Sequence, residues 1–179
     1  MSWMDQVGNL LKKYTSGGTG AAAAAAPAPD VHAHFDQVAQ AAPSSAIAEG
    51  LAAAFHSDQT PPFGQMVSSL FSSSSGDQKA GMLNHLISSV SPSMLAQILP
   101  MLGLAGLTGS TSARITPEQA QKVSPQAVQQ AATHAEKNDP STVGALSAFY
   151  AQHSSLIKTL GGSALAIALA KIAQRETSR

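Results

Sequence analysis

Residues 116–128 read Thr-Pro-Glu-Gln-Ala-Gln-Lys-Val-Ser-Pro-Gln-Ala-Val, and this stretch decides the fold class. Thr116 can cap a helix. Pro117 suits the first helical position, because proline lacks only an N–H that would be unpaired there anyway. Gln119 stands three residues after the cap, where its side chain can reach back to the cap's backbone. Ser124-Pro125 repeats the opening, and a capping residue followed by proline recurs at Thr60-Pro61, Ser91-Pro92 and Asp139-Pro140. Five such starts, with no strand-like alternation longer than four residues, predict an all-α chain. The expected architecture is a bundle of about eight or nine short helices with a tethered N-terminal amphipathic helix.

Working outward from this stretch, the upstream helices follow from apolar spacing. Asp30 is expected to cap a helix over residues 31–42 that turns Val31, Phe35, Val38 and Ala42 inward. Ser44 or Ser45 would cap the next, with Ile47, Leu51 and Phe55. Thr60-Pro61 would open a third, with Phe63, Met66, Val67, Leu70 and Phe71 on one arc, ended by the serine run 72–75 and Gly76. Asp77 would start a helix carrying Met82, Leu83, Leu86, Ile87 and Val90. Ser91 would start one carrying Met94, Leu95, Ile98 and Leu99, broken by Pro100. For Met66, Met82, Met94 and Met101, core filling is preferred to a promiscuous methionine groove. The Gly/Ser loop 103–113 is the expected boundary between subdomains 30–102 and 114–179.

Downstream, residues 154–175 predict a helix of another kind. Leu156, Ile157, Leu160, Leu165, Ile167, Leu169 and Ile172 project in nearly all directions, as in a helix buried on several sides. Its uncharged stretch between Lys158 and Lys171 is twelve residues, about 18 Å of helix against a hydrocarbon core of about 30 Å. A core helix or packing seam is therefore expected rather than a membrane span. Gly161, Gly162, Ala166 and Ala170 would let a neighbouring helix come close, and Lys171 and Arg175 suit the negative C-terminal end.

Residues 1–15 carry the cleanest amphipathic stripe. Trp3, Met4, Val7, Leu10, Leu11 and Tyr14 fall within an arc of about 120°, with Asp5, Asn9, Lys12 and Lys13 opposite. Residues 16–29, rich in Gly, Ala and Pro, read as a tether. A lone helix of this length is marginal in water, so the stripe should gain order by docking on the body, on a neighbouring copy or on lipid. Lys12 and Lys13 would assist at an anionic surface. Asp5, Gln6 and Asn9 interrupt any apolar core of a secretory signal, so a cytoplasmic location is expected.

Composition narrows the function classes. The chain has 179 residues, ten Lys+Arg against ten Asp+Glu, six His and no Cys. A neutral balance lacks the electrostatic footprint of a nucleic-acid binder. The absence of Cys removes disulfides, thiolate metal sites and a Cys nucleophile. The charges are nevertheless unevenly placed, net −3 over residues 1–90 and +3 over residues 91–179. Such halves can pair internally or head to tail between copies, and chance segregation among twenty charges is the bland alternative.

Candidate chemistry is sparse. Asp30, His32, His34 and Asp36 form two i,i+4 pairs that diverge by about 200° on a helix, so one ion cannot collect all four. A polar helix face is the simpler reading, with a metal-dependent enzyme around His32, His34 and Asp36 as a third-ranked hypothesis. No nucleophile elbow, phosphate-binding loop or dinucleotide fingerprint is present. No enzyme activity, cofactor or metal is expected.

Three stretches carry a resemblance: the start Met-x-Trp-Met-Asp-Gln-Val-Gly-x-Leu-Leu, residues 63–71 (FGQMVSSLF), and residues 115–128 (ITPEQAQKVSPQAV). Together they resemble the YidB-like group of small Ala/Ser/Gln-rich bacterial proteins, discontinuously over about half the chain. The long Ala/Pro tether and the apolar C-terminal helix depart from that pattern. The resemblance implies an all-α bacterial protein and no site residues. The expected role is a self-associating structural or scaffold component, a homo-oligomer or filament without nucleic acid. Its expected partner-binding residues are Trp3, Met4, Val7, Leu10, Leu11, Tyr14, Leu165, Ile167, Leu169 and Ile172. The alternative is a peripheral membrane or granule-coat protein using the same stripe.

Overall fold

A computed structural model describes residues 28–107 and 114–177. The N-terminal stripe, almost all of its tether and residues 108–113 of the Gly/Ser loop lie outside the described residues. The fold is all-α, with ten α-helices among the described residues. In chain order they are α1 (Ala28–Ala41), α2 (Ser44–Phe55), α3 (Phe63–Ser72), α4 (Gly76–Ser89), α5 (Pro92–Met101), α6 (Pro117–Lys122), α7 (Pro125–Asn138), α8 (Ser141–Gln152), α9 (Ser154–Ile157) and α10 (Gly162–Thr177). None is long and apolar enough to cross a membrane.

Two compact units emerge. One takes the described residues up to Pro61 together with those from Tyr150 onward; the other is Pro62–Phe149. The boundary expected at residues 103–113 falls inside the second unit. The reason is that the helices before that loop pack on those after it: α3 and α5 lie on α7, and α4 lies on α6. Asn84 on α4 adds a two-point clamp, accepting from the Ile115 N–H (2.8 Å) and donating to the Ile115 carbonyl (3.1 Å).

In the first unit, α10 packs on α2 and on α1. A Cβ built on Gly50 would stand 2.7 Å from the Ala168 carbonyl oxygen and 2.9 Å from Ile172 Cγ1. The glycine that permits close approach is thus Gly50 of α2, whereas Gly161, expected in that role, has no such neighbour. Asp36 pairs with Lys158 at 3.0 Å and Glu49 with Arg175 at 2.7 Å. Both pairs join the acidic half of the sequence to the basic half within one unit, so internal pairing is what these charges do.

Local starts in this unit differ from expectation. α1 already contains Asp30, and α2 follows Pro43 with no side-chain cap. The Thr60 hydroxyl lies 2.7 Å from the Ala54 carbonyl and 2.8 Å from that of Ser57, closing the end of α2 instead of opening α3. The expected helix over residues 154–175 divides into α9 and α10. Tight turns from the Thr159 N–H to the Leu156 carbonyl and from the Leu160 N–H to the Ile157 carbonyl end α9, and Gly161-Gly162 does not resist the break.

In the second unit α4 to α7 start on side-chain caps, while α3 follows Pro62 with no side-chain bond. Ser91 accepts from the Met94 N–H, and Ser124 from the Ala127 N–H. Thr116 and Gln119 form a full capping box, satisfying two N–H groups that the first turn leaves open. Ser75 and Gln78 form another, which places the start of α4 on Ser75 rather than Asp77. Pro100 does not break α5 but sits in its last turn. The helix ends at Met101, and the chain then turns through a left-handed Gly103 (φ 73°), with hydrogen bonds from the Leu104 N–H to the Leu99 carbonyl and from the Gly103 N–H to the Pro100 carbonyl. α3 meets α7 at Gly64, where a Cβ would strike the Thr133 hydroxyl and stand 2.6 Å from the Gln129 carbonyl.

The inward faces match the apolar spacing. Val31, Phe35, Val38, Ile47, Leu51 and Phe55 are buried in the first unit, as are Phe63, Met66, Val67, Leu70 and Phe71 in the second. Ala42, Val90 and Leu95 end half-buried.

Candidate functional site

The ten residues expected to bind a partner divide into two groups. Trp3, Met4, Val7, Leu10, Leu11 and Tyr14 lie outside the described residues. Leu165, Leu169 and Ile172 are essentially fully buried on α10, which packs against α2 and α1, and Ile167 is half-buried. The first three therefore belong to the chain's own core and present no surface to another molecule. The reason is legible in the pattern: a helix apolar all round has faces for two neighbours, and this chain supplies both.

His32, His34 and Asp36 sit on α1, where helical spacing turns the two i,i+4 pairs apart. Asp36 is engaged by Lys158. Among the described residues no group of three or more His, Asp or Glu is placed to hold a metal ion.

One hollow of about 480 Å³ opens on the surface of the second unit. Met101, the last residue of α5, stands on one side. On the other, α7 contributes Gln126, Gln129, Gln130, Thr133 and Lys137, which fall on one face at helical spacing. His134 completes the lining and is oriented by a 3.1 Å hydrogen bond between its Nε2 and Gln97 Oε1 on α5. Met66, Met82 and Met94 fill the interior as expected, but Met101 is 36% exposed. It is the one exposed large hydrophobic side chain among the described residues, and it lies in this hollow. Its position follows from the end of α5: the Gly103 turn leaves the last helical residue at the rim.

The sequence reading missed this groove. The signal was the run of polar residues at positions 126, 129, 130, 133 and 137, spaced like an apolar stripe but built from amides. The methylene stems of Gln and Lys give such a face an apolar body beneath polar tips.

The Thr133 hydroxyl donates to the Gln129 carbonyl at 2.8 Å. No carboxylate is among the described residues that line the hollow. Elsewhere, Tyr150 is fully buried with Phe55 edge-on at 6.5 Å, and burial pushes its hydroxyl far above the ordinary range. Glu118 is held below the usual carboxylate value by its own backbone N–H and by the Thr116 hydroxyl, which is the electrostatics of a helix start. The described lining comprises a thioether, three amides, a hydroxyl, an imidazole and an ammonium. No family model, curated protein or solved structure matches the chain.

Proposed function

We propose that this chain is a non-catalytic, self-associating structural or scaffold protein of the cytoplasm whose N-terminal helix docks on a neighbouring copy. The observation that supports the reading is a mismatch of apolar surface. Residues 2–14 gather six large apolar side chains on one arc, while the described body covers its own and leaves only Met101 substantially exposed. A stripe of that kind needs a surface to cover it. Two of the opposed charge pairs, Asp36–Lys158 and Glu49–Arg175, and the apolar α10 are engaged inside the first unit and lend no support. Association is therefore assigned to Trp3, Met4, Val7, Leu10, Leu11 and Tyr14 alone. Removing residues 1–15 should lower the sedimentation coefficient of the assembly to that of a single chain. A species of unchanged size would overturn the proposal.

A second reading, a peripheral membrane or granule-coat protein, is favoured by Lys12 and Lys13 beside the same stripe. Two basic residues and one apolar arc support only weak, salt-sensitive binding. It predicts co-sedimentation with anionic vesicles that is lost in Trp3→Glu, and absence of binding by the intact chain would remove it.

A further inference from the structure

We propose that Met101 is a modification site, a thioether that hydrogen peroxide oxidises to the sulfoxide in the folded protein, and that the hollow between α5 and α7 accommodates the product. The proposal goes beyond the self-association reading and does not depend on it. Four methionines lie among the described residues, and three are shielded: Met66 is 3% exposed, Met82 0% and Met94 9%. Met101 is 36% exposed and lines the hollow of about 480 Å³. Met94 stands on the same helix, so one element carries both a shielded and an open thioether.

Thioether oxidation requires the peroxide to reach the sulfur, so exposure ranks the four sites. A sulfur lone pair attacks one peroxide oxygen, an S–O bond forms, and the O–O bond breaks. The leaving hydroxide takes the proton from the oxygen now on sulfur, giving the sulfoxide and one water. Sulfur loses two electrons and the peroxide gains them. The shielded methionines react only when the fold opens around them, a rarely populated state in a packed core.

The lining suits the product. A sulfoxide oxygen carries partial negative charge and accepts hydrogen bonds. Gln126, Gln129 and Gln130 bring amide donors and Lys137 an ammonium, and no carboxylate is among the described lining residues to repel it. One added oxygen needs no more room than a water molecule, about 30 Å³ in the liquid. At a core methionine the same oxygen would be a polar group forced into apolar packing. Oxidation at Met101 therefore leaves the fold intact, and it turns the one exposed large hydrophobic side chain among the described residues polar.

The test exposes the full-length chain to dilute hydrogen peroxide at neutral pH and follows oxygen uptake at each methionine by fragment mass spectrometry. Uptake at Met101 should be at least about tenfold faster than at Met66, Met82 or Met94. Equal rates would overturn the proposal. Met101→Leu, treated alongside, separates oxidation at Met101 from oxidation at Met1 and Met4. The urea midpoint of the treated parent should fall no further than that of the treated variant. A fall confined to the parent would overturn the proposal too, since the hollow would then not accommodate the sulfoxide.

Discussion

Four helices of the second unit, α4 to α7, begin on side-chain caps, whereas the first unit holds its helices by contacts made far along the sequence. In Pro62–Phe149, Ser75, Ser91, Thr116 and Ser124 each accept a hydrogen bond from the first turn that follows them. In the first unit, α2 starts after Pro43 with no such bond. What orders it is α10, more than a hundred residues later, which presses its Ala168 carbonyl against Gly50. The Glu49–Arg175 and Asp36–Lys158 pairs span a similar separation. The two units teach that the same all-α outcome is reached by local punctuation in one case and by small-residue packing in the other. One device is common to both: in each unit a close helix pair meets at a glycine, Gly50 of α2 against α10 and Gly64 of α3 against α7.

That shared device gives the largest expected effect. In an exposed helix interior, Gly→Ala stabilises by about 1 kcal/mol. At Gly50 and Gly64 the added methyl meets backbone carbonyls that cannot swing aside, so Gly50→Ala and Gly64→Ala should each destabilise by about 1–3 kcal/mol. Gly144 on α8 is exposed with nothing near its Cβ position, and Gly144→Ala should stabilise by about 0.5–1 kcal/mol. Urea denaturation of the three variants decides it; a gain at Gly50 would mean the α2–α10 approach is looser than described.

Cap removal should then separate the units. Ser75→Ala and Thr116→Ala should each cost about 1 kcal/mol, while Ser44→Ala should cost a few tenths at most, since Ser44 caps nothing. Equal losses would erase the contrast. On acidification, Glu118 sharpens it slightly further. A carboxylate whose folded value is depressed contributes stability above its unfolded value and loses it as pH falls through the folded one. Glu118→Gln should therefore flatten a small part of the acid limb of a stability–pH curve.

The ion pairs should give the smallest effect. Both are partly exposed, with side-chain exposures of 50% and 34% for Lys158 and Asp36. Asp36→Asn and Glu49→Gln should each cost about 0.2–1 kcal/mol, less at high salt. A loss of several kcal/mol would mean that charge, rather than packing at Gly50, holds the first unit together.

How much of this was legible follows from the same contrast. Thr116, Ser124 and Ser91 announce their helices within four residues, and the apolar arcs at Phe35, Leu51 and Leu70 locate the core. Ser75 was legible too, since Gln78 stands three residues on, but it sat at the end of a serine run that reads as a helix stop. Thr60 misled because its hydroxyl donates back to the Ala54 and Ser57 carbonyls instead of accepting from an N–H ahead. The partition into units was not legible, because it depends on α10 returning to α2, a contact whose only mark is a glycine in the middle of an alanine-rich helix. The groove was hidden for another reason: its lining is amide, and amides on one face of a helix look like a solvated surface until an exposed methionine is found beside them.

The mass of the full-length chain in solution, by light scattering over a range of concentrations, tests the central claim most directly. The account predicts a discrete species of at least two chains, or a filament, whose mass falls to 18.2 kDa on dilution, and to that of one shortened chain when residues 1–15 are removed. A single chain of 18.2 kDa at every concentration would contradict it.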